Sequence, residues 1–390
     1  MIGNVFVGNR RAATLRREGA HTVFTYETDY LDGNNDSVAT TLPLSPEPVH
    51  TPGASVPAFF AGLLPEGRRL NALVRNAKTS ADDELGLLLA VGPATVGDVY
   101  VIEGSLPVQE KPTVQIPRNP EQLDFSEVFA SQGIALSPRI AGVQDKASAQ
   151  MISFHASKAD VEHLIKFDPP EFRHLCRNEQ FFLERAKKLK IDVGQSRLIT
   201  DSTGVEALLV KRFDRNKKEL IHVEDGTQVL GHYPADKYNL SFEEVAQGLS
   251  RATISPLASS INLLTQLAFA WLTGNGDMHA KNLSIAGRKQ ASLVAPMYDL
   301  PSSLFYPDLN PELALKVGDH STLTVKRFIE VGQFLGLPLA SVENIRRRVL
   351  AVTEEIADEV DNGVLPFDPK ITSKAARQLR RRYQEFSKYF

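Results

Sequence analysis

The sequence predicts an α+β protein whose strands and helices are largely segregated along the chain. Short runs rich in β-branched and aromatic residues occupy the first half, at residues 5–7, 22–26, 97–102, 150–154, 163–167 and 206–213. From Ser241 onward the apolar residues recur at helical spacing almost to the C-terminus. At 390 residues the chain is too long for one small core and suits two or three packed parts.

Composition narrows the function class. Hydrophobic residues at 42% and charged residues at 23% are ordinary for a globular protein, and a formal charge of −3 gives no global attraction to nucleic acid or anionic membrane. The one cysteine, Cys176, excludes an internal disulfide and a Cys-based zinc site and is expected to be a small packing residue. No run approaches the roughly 18 apolar residues that span a bilayer, and the N-terminus lacks a signal-peptide core, so a cytoplasmic protein without membrane contact is expected.

Residues 1–104 read as a β-rich module with helices at 64–75 and 82–89 and a turn-rich loop at 31–36. Residues 105–124, with Pro107, Pro112, Pro117 and Pro120 in a polar background, read as an extended linker. Residues 125–215 hold a short loop with a single glycine, two strands joined by a polar turn, a helix at 178–190 and a further strand at 206–213. Lys166 lies inside an apolar strand, which is costly without an anionic partner; Glu179, in the first turn of the next helix, is the candidate, and snorkelling to water is the alternative.

Residues 216–390 are mainly helical. The helix at 261–272 is apolar on every face and therefore buried, and it delivers the chain into Gly274, Asn275, Gly276 and Asp277. A hairpin through residues 283–285 and 292–297 then brings Asp299 back beside Asn282. Helices follow at 324–335, 339–360 and 373–389, the last carrying Lys374, Arg377, Arg380, Arg381, Arg382 and Lys388 as a solvated face or, alternatively, a partner or DNA contact.

Asp277 and Asn282 are separated by four residues, the interval of the catalytic loop of protein kinases, in which the Asp takes the proton of an attacking hydroxyl and the Asn and a later Asp hold magnesium. Asp299 is placed to be that later Asp, and Lys166 to neutralise phosphate charge. His279 has no ligand-spaced partner and reads as support for the loop, while Lys281 is a candidate for stabilising transferring phosphoryl charge or for pairing with Asp277. His222, Glu224 and Asp225 suggest a hydrolase cluster on paper. Without a nucleophile elbow they read instead as a brace of the large lobe, and no G-x-x-x-x-G-K-S/T loop is present.

In order, LPEG (64–67), AGVQDK (141–146), LIKFDPP (164–170), NE (178–179), VKRFDR (210–215), HVEDGTQVLG (222–231), GNGDMHAKN (274–282) and the pair Tyr298-Asp299 make the chain resemble HipA-like serine/threonine kinases over nearly its whole length. The resemblance implies a two-lobed, protein-kinase-like fold with an all-helical C-terminal lobe, a small lobe at 125–215 and a large lobe at 216–390. It implies ATP and Mg²⁺ as cofactors. Ala141, Gly142, Val143, Gln144, Asp145 and Lys146 would cover the phosphates, Lys166 would bind them, and Lys211, Arg212 and Phe213 would form the adenine hinge. Asp277 would be the base; His279, Ala280, Lys281 and Asn282 would line the nucleotide site, Tyr298 would flank it, and Asn282 and Asp299 would hold the metal.

Many members of this family are toxins held by a HipB-like DNA-binding antitoxin, so the resemblance implies a toxin that phosphorylates a protein substrate such as an aminoacyl-tRNA synthetase, notably the glutamyl enzyme, and arrests growth, although target choice varies within the family. The sequence departs from the family at Arg139, where many members carry a self-phosphorylated Ser; Ser137 is out of register, so self-inactivation is expected to be absent or relocated. A small-molecule phosphotransferase, and a pseudokinase serving as partner of a DNA-bound antitoxin, are the alternative readings.

Overall fold

The first sheet is an antiparallel meander in the order β4-β3-β2-β1-β5, built from β1 (Ile2–Val7), β2 (Arg10–Glu18), β3 (His21–Tyr26), β4 (Val49–Pro52) and β5 (Val99–Ile102). The structure is a computed structural model describing residues 1–19, 21–108, 114–117, 119–131, 152–158, 161–216 and 219–388. Strand β2 was not expected from RRAATLRRE. Its arginines face outward at the start of the strand, while a register shift opposite Val5 and Phe6 lets consecutive Ala12 and Ala13 both turn inward. The helices α1 (Thr28–Leu31), α2 (Ala58–Gly62), α3 (Gly67–Ala77) and α4 (Glu84–Val91) accompany this sheet, and Phe24, Phe59, Phe60, Leu85 and Val101 form part of its core.

A second sheet has the order β6-β7-β8-β10-β9: β6 (Val114–Gln115), β7 (Ile152–Lys158), β8 (Val161–Phe167), β9 (Ser196–Thr200) and β10 (Glu206–Lys211). The proline-rich segment is thus not all linker. Its Val114 and Ile116 are buried, β6 runs parallel to β7, and Pro120–Gln122 forms a 3-10 turn before α5 (Phe125–Ser131). In the central strand β8, Ile165 and Phe167 point into an apolar core with Phe125, Phe154 and Leu209. Lys166 takes the opposite face by the two-residue period of the strand. The helix α6 (Leu175–Ala186) follows, and the buried Asn178 clips it to the far end of the chain by hydrogen bonds of 2.8 Å with the carbonyl and the amide of Ser302.

Beyond residue 214 the chain is mostly but not wholly helical, which corrects the all-helical expectation. A ribbon of β11 (Arg215–Asn216) and β12 (Glu219–Leu220) leads into a three-stranded antiparallel sheet of β13 (Val223–Asp225), β14 (Ser284–Ala286) and β15 (Leu293–Val294). The hairpin that returns Asp299 leaves one edge of β14 open, and β13 pairs with it; a buried hairpin edge needs such a partner for its amides and carbonyls. The helices are α7 (Gly226–Leu230), α8 (Phe242–Arg251), α9 (Pro256–Thr273), α10 (Val325–Phe334), α11 (Leu339–Thr353), α12 (Ile356–Asp361) and α13 (Pro369–Ser387), so the long helix expected at 339–360 is broken in two. Helix α9 is enclosed as its composition demands, with Leu263, Leu264, Leu267 and Phe269 fully buried.

The basic helix α13 is used partly inside the protein. Arg382 is buried, lies 4.1 Å over the Trp271 ring and donates to the Trp271 carbonyl at 2.7 Å, while burial holds its pKa down at about 10. Arg380 pairs with Asp358 and Asp361 at 2.8 Å.

Of the predicted brace, His222 and Glu224 join the N-terminal part to the later, mostly helical part of the chain, while Asp225 caps α7 and takes the Lys281 ammonium. His222 Nδ1 meets Asp98 at 2.8 Å and its Nε2 meets Glu224 at 2.9 Å; Arg288 donates to Asp98 at 2.9 Å, and the Thr40 hydroxyl to Glu224 at 2.7 Å. Burial pulls the imidazole pKa down, but the two carboxylates outweigh it and hold it above its ordinary 6.5. Burial pushes Asp98 up, yet His222 and Arg288 bring it to about 2. The stability from His222 is therefore fully present below pH 6.5 and lost as pH rises through its higher folded pKa. That from Asp98 is present above 3.8 and lost as pH falls toward about 2. Thermal unfolding of the wild type should show falling stability on the alkaline side of pH 6.5, and His222→Gln should flatten that slope; equal slopes would remove His222 as its source.

Candidate active site

Four side chains from four separate stretches form one polar chain. The Lys166 ammonium donates to both oxygens of Glu179, at 2.8 and 3.1 Å, and to Asp299 Oδ1. Asn282 Nδ2 donates to the other oxygen of Asp299 at 3.4 Å. Burial alone would lower the Lys166 pKa, but Asp299 and Glu179 outweigh it and raise it, so the lysine is a fixed cation; burial in turn raises Glu179. Of the two readings of Lys166, the structure gives the paired one.

The loop carrying Asp277 is held by its own sequence. Helix α9 ends at Gly274, whose φ of +70° is the left-handed conformation that glycine adopts without strain. At Gly276 a Cβ would stand 2.0 Å from the Asn310 carbonyl oxygen, so no larger residue fits that crossing. Asn275 between them was read only as part of a turn, yet it does the joining. Its Oδ1 accepts from the Asp277 amide at 3.0 Å, and its Nδ2 donates to the Asp299 carbonyl at 3.2 Å. Asp299 itself has φ +53°, a conformation a non-glycine residue holds only when its surroundings impose it.

Asp277 is buried and accepts from the Tyr238 hydroxyl at 3.3 Å, and the His279 ring stands edge-on to Tyr238 with centroids 5.0 Å apart. Lys281 does not pair with Asp277. Its ammonium meets Asp225 Oδ2 at 2.7 Å and the Gly62 carbonyl at 3.1 Å, which corrects the expected pairing with Asp277. Ala280 is fully buried, its amide donating to the Lys237 carbonyl at 3.1 Å.

A cavity of about 590 Å³ opens beside this cluster, with Lys166, Glu179, Lys281, Tyr298 and Asp299 in its wall and Val210, Lys211, Arg212 and Phe213 along one side. Asp277, His279, Ala280 and Asn282 do not line it. Phe213 and Tyr298 stack at 5.6 Å and 26°. Tyr298 is anchored by its hydroxyl to the Lys281 carbonyl at 2.8 Å, and burial raises its pKa. The amides of Lys211 and Arg212 already donate to the Gln195 and Glu162 carbonyls, and the Arg212 guanidinium to Asp214. Ala141, Gly142, Val143, Gln144, Asp145 and Lys146, with Ser137 and Arg139, lie outside the described residues.

The donor set suits a hard cation. Asn282 Oδ1 is buried without a hydrogen-bond partner, next to the Asp299 carboxylate, and oxygen ligands of this kind match Mg²⁺. Among the described residues no cluster of three His, Cys, Asp or Glu side chains offers a softer metal a site.

Comparison with known proteins places the arrangement. The HipA N-terminal domain model matches residues 3–102 and the HipA-like C-terminal domain model matches residues 139–363. The chain belongs to the HipA family. It is 29% identical over 370 residues to a protein of Sinorhizobium fredii named "Putative kinase Y4mE", covering 86% of this chain and 85% of that one. It is 26% identical over 359 residues to the serine/threonine-protein kinase toxin HipA of Shewanella oneidensis, covering 81% of each. Among solved structures, the HipA, HipB and operator DNA complex of Shewanella oneidensis matches with a TM-score of 0.79 at 20% identity, over 99% of this chain and 97% of that one, which shows a shared fold.

Replacing the central cation tests the polar chain. Lys166→Met should cost about 3–5 kcal/mol in denaturant unfolding, since it strands Glu179 beside Asp299, and Lys166→Met/Glu179→Met should recover part of the loss. A loss below about 1 kcal/mol in the single variant would mean the pair is worth no more than a surface ion pair.

Proposed function

We propose that this chain is an ATP- and Mg²⁺-dependent serine/threonine protein kinase with a two-lobed arrangement, the second sheet forming the small lobe and residues 216–390 the large one. The observation that carries the reading is the polar chain Glu179, Lys166, Asp299, Asn282, tied through Asn275 to Asp277. It unites at one place the parts that phosphoryl transfer needs.

The nucleotide enters the 590 Å³ cavity, its base against Phe213 and Tyr298. Lys166, oriented by Glu179, neutralises phosphate charge. Asn282 Oδ1 and the Asp299 carboxylate would hold Mg²⁺, which when bound supplies further charge neutralisation at the phosphates. Asp277 orients the hydroxyl of a Ser or Thr on the protein substrate and takes its proton as the phosphoryl group leaves ATP. Positioning and charge stabilisation provide most of the rate. The family resemblance extends the reading to a growth-arresting toxin that acts on a translation component such as an aminoacyl-tRNA synthetase. A HipB-like antitoxin, and DNA through it, are the partners suggested by the complex of the Shewanella oneidensis relative.

Asp277→Asn should fold normally and lose about 10²–10⁴-fold of the turnover, the usual contribution of a positioned base. The check is transfer of labelled γ-phosphate from Mg·ATP into proteins of a bacterial lysate, with the labelled sites located by mass spectrometry. Equal labelling by wild type and variant would remove Asp277 from the mechanism. Label found only on small molecules would make the chain a small-molecule phosphotransferase, and ATP binding without transfer would make it a pseudokinase.

A further inference from the structure

The loop bearing Asp277 is held by a second set of contacts besides the Lys166 chain, and these originate in the first 104 residues. Glu66, just before α3, pairs with Lys237 and lies 3.9 Å from the Lys281 ammonium. The Gly62 carbonyl at the end of α2 accepts from the same Lys281 ammonium at 3.1 Å. Lys237 then serves the loop twice: its carbonyl takes the Ala280 amide at 3.1 Å, and its neighbour Tyr238 donates to Asp277 Oδ1 at 3.3 Å. The ammonium of Lys237 stands 5.3 Å over the Tyr238 ring, so the acid that fixes the lysine also fixes the tyrosine.

The segment carrying Lys237 and Tyr238 is itself seated on the N-terminal part, for the Tyr233 hydroxyl donates to the Val56 carbonyl at 3.0 Å. The approach is close. A Cβ at Gly62 would stand 2.7 Å from the Gln228 side chain, which donates to the Phe59 carbonyl at 2.8 Å. Lys237 and Lys281 are both largely shielded from water, at 13% and 14% side-chain exposure, so their pairing with Glu66 is little screened.

We propose that the N-terminal module is a working part of the catalytic centre: Glu66, through Lys237 and Lys281, sets the position of Tyr238 and of the 277–282 loop, and Tyr238 is a positioning residue for Asp277. The proposal rests on the reading of Asp277 as the base. A carboxylate that must face an acceptor hydroxyl can lose much of its effect through a displacement of about 1 Å. The strut from Glu66 prevents that displacement, and the tyrosine hydroxyl restricts rotation of the carboxylate. Gly62, Leu64 and Pro65 of the module line the cavity, but Glu66, Lys237 and Tyr238 do not, so this strut acts on turnover through the position of Asp277.

The test is a double-mutant cycle on the full chain with Glu66→Gln and Tyr238→Phe, read in three ways. Each single variant should lower kcat by about tenfold or more while KM for ATP stays within about twofold, and the double variant should lose little more than the worse single one, since both act through one strut. Glu66→Asp should recover part of the loss. Hydrogen exchange in residues 275–283 should accelerate in Glu66→Gln while α10 to α13 exchange as in the wild type. Additive losses, a change confined to KM, or unchanged exchange in the loop would overturn the proposal; so would a rise in kcat, which would make the module a restraint. A wild type that transfers no phosphate while the exchange effect is present would defeat the kinase reading and leave the strut standing.

Discussion

The contact of Lys166 with Glu179 and Asp299 is the constraint from which the rest of the site follows. One ammonium on the second sheet satisfies a carboxylate on α6 and another on the segment after β15, so three separate stretches must come into register before all of these charges are compensated. Two carboxylates this close without their cation would repel each other in a poorly solvated place. The chain accepts the left-handed backbone at Asp299 to complete this contact, and Asn275 secures it by binding the Asp299 carbonyl. A strained residue locked by a neighbour from the Asp277 loop is what couples the metal-ligand candidate to the proposed base.

Rigidity behind the site comes from apolar packing. From Leu263 onward helix α9 is buried, and it ends at the Gly274 turn, so the Asp277 loop hangs from a support with little freedom to move. On the other side stands the ionic brace of His222, Asp98, Glu224 and Arg288, which fastens the first sheet to the later, mostly helical part of the chain with buried, mutually compensated charges. Such networks add little net stability over apolar packing but strongly disfavour misplacement, because any displacement leaves a charge unpaired. The N-terminal part is held in one orientation relative to the Asp277 loop.

Much of this was legible in the sequence, for definable reasons. A lysine in an apolar strand demands an anion, and Glu179 on the next helix was the nearest candidate. Asp277, Asn282 and Asp299 stand at intervals that a short loop and a hairpin convert directly into proximity. What escaped was set by tertiary contact rather than local pattern. Asn275 looks like any residue between two glycines until its two amide atoms are seen to face different segments. Tyr238 has no motif around it, and Glu66, though inside the LPEG run, shows no sign of its partner; both meet the loop only because α2 packs on α7. Strand β2 hid behind its arginines, and β13 behind a run of polar residues whose side chains were busy with bracing. The basic look of α13 misled in part because a side chain's charge does not reveal whether a carbonyl and an indole await it, as they do for Arg382.

The most direct measurement is a crystal structure of the full chain with Mg²⁺ and a non-hydrolysable ATP analogue. The account predicts a base against Phe213 and Tyr298, phosphate within reach of Lys166, and a metal bound by Asn282 Oδ1 and Asp299. A nucleotide seated away from Lys166, or a metal bound without Asn282 and Asp299, would contradict it.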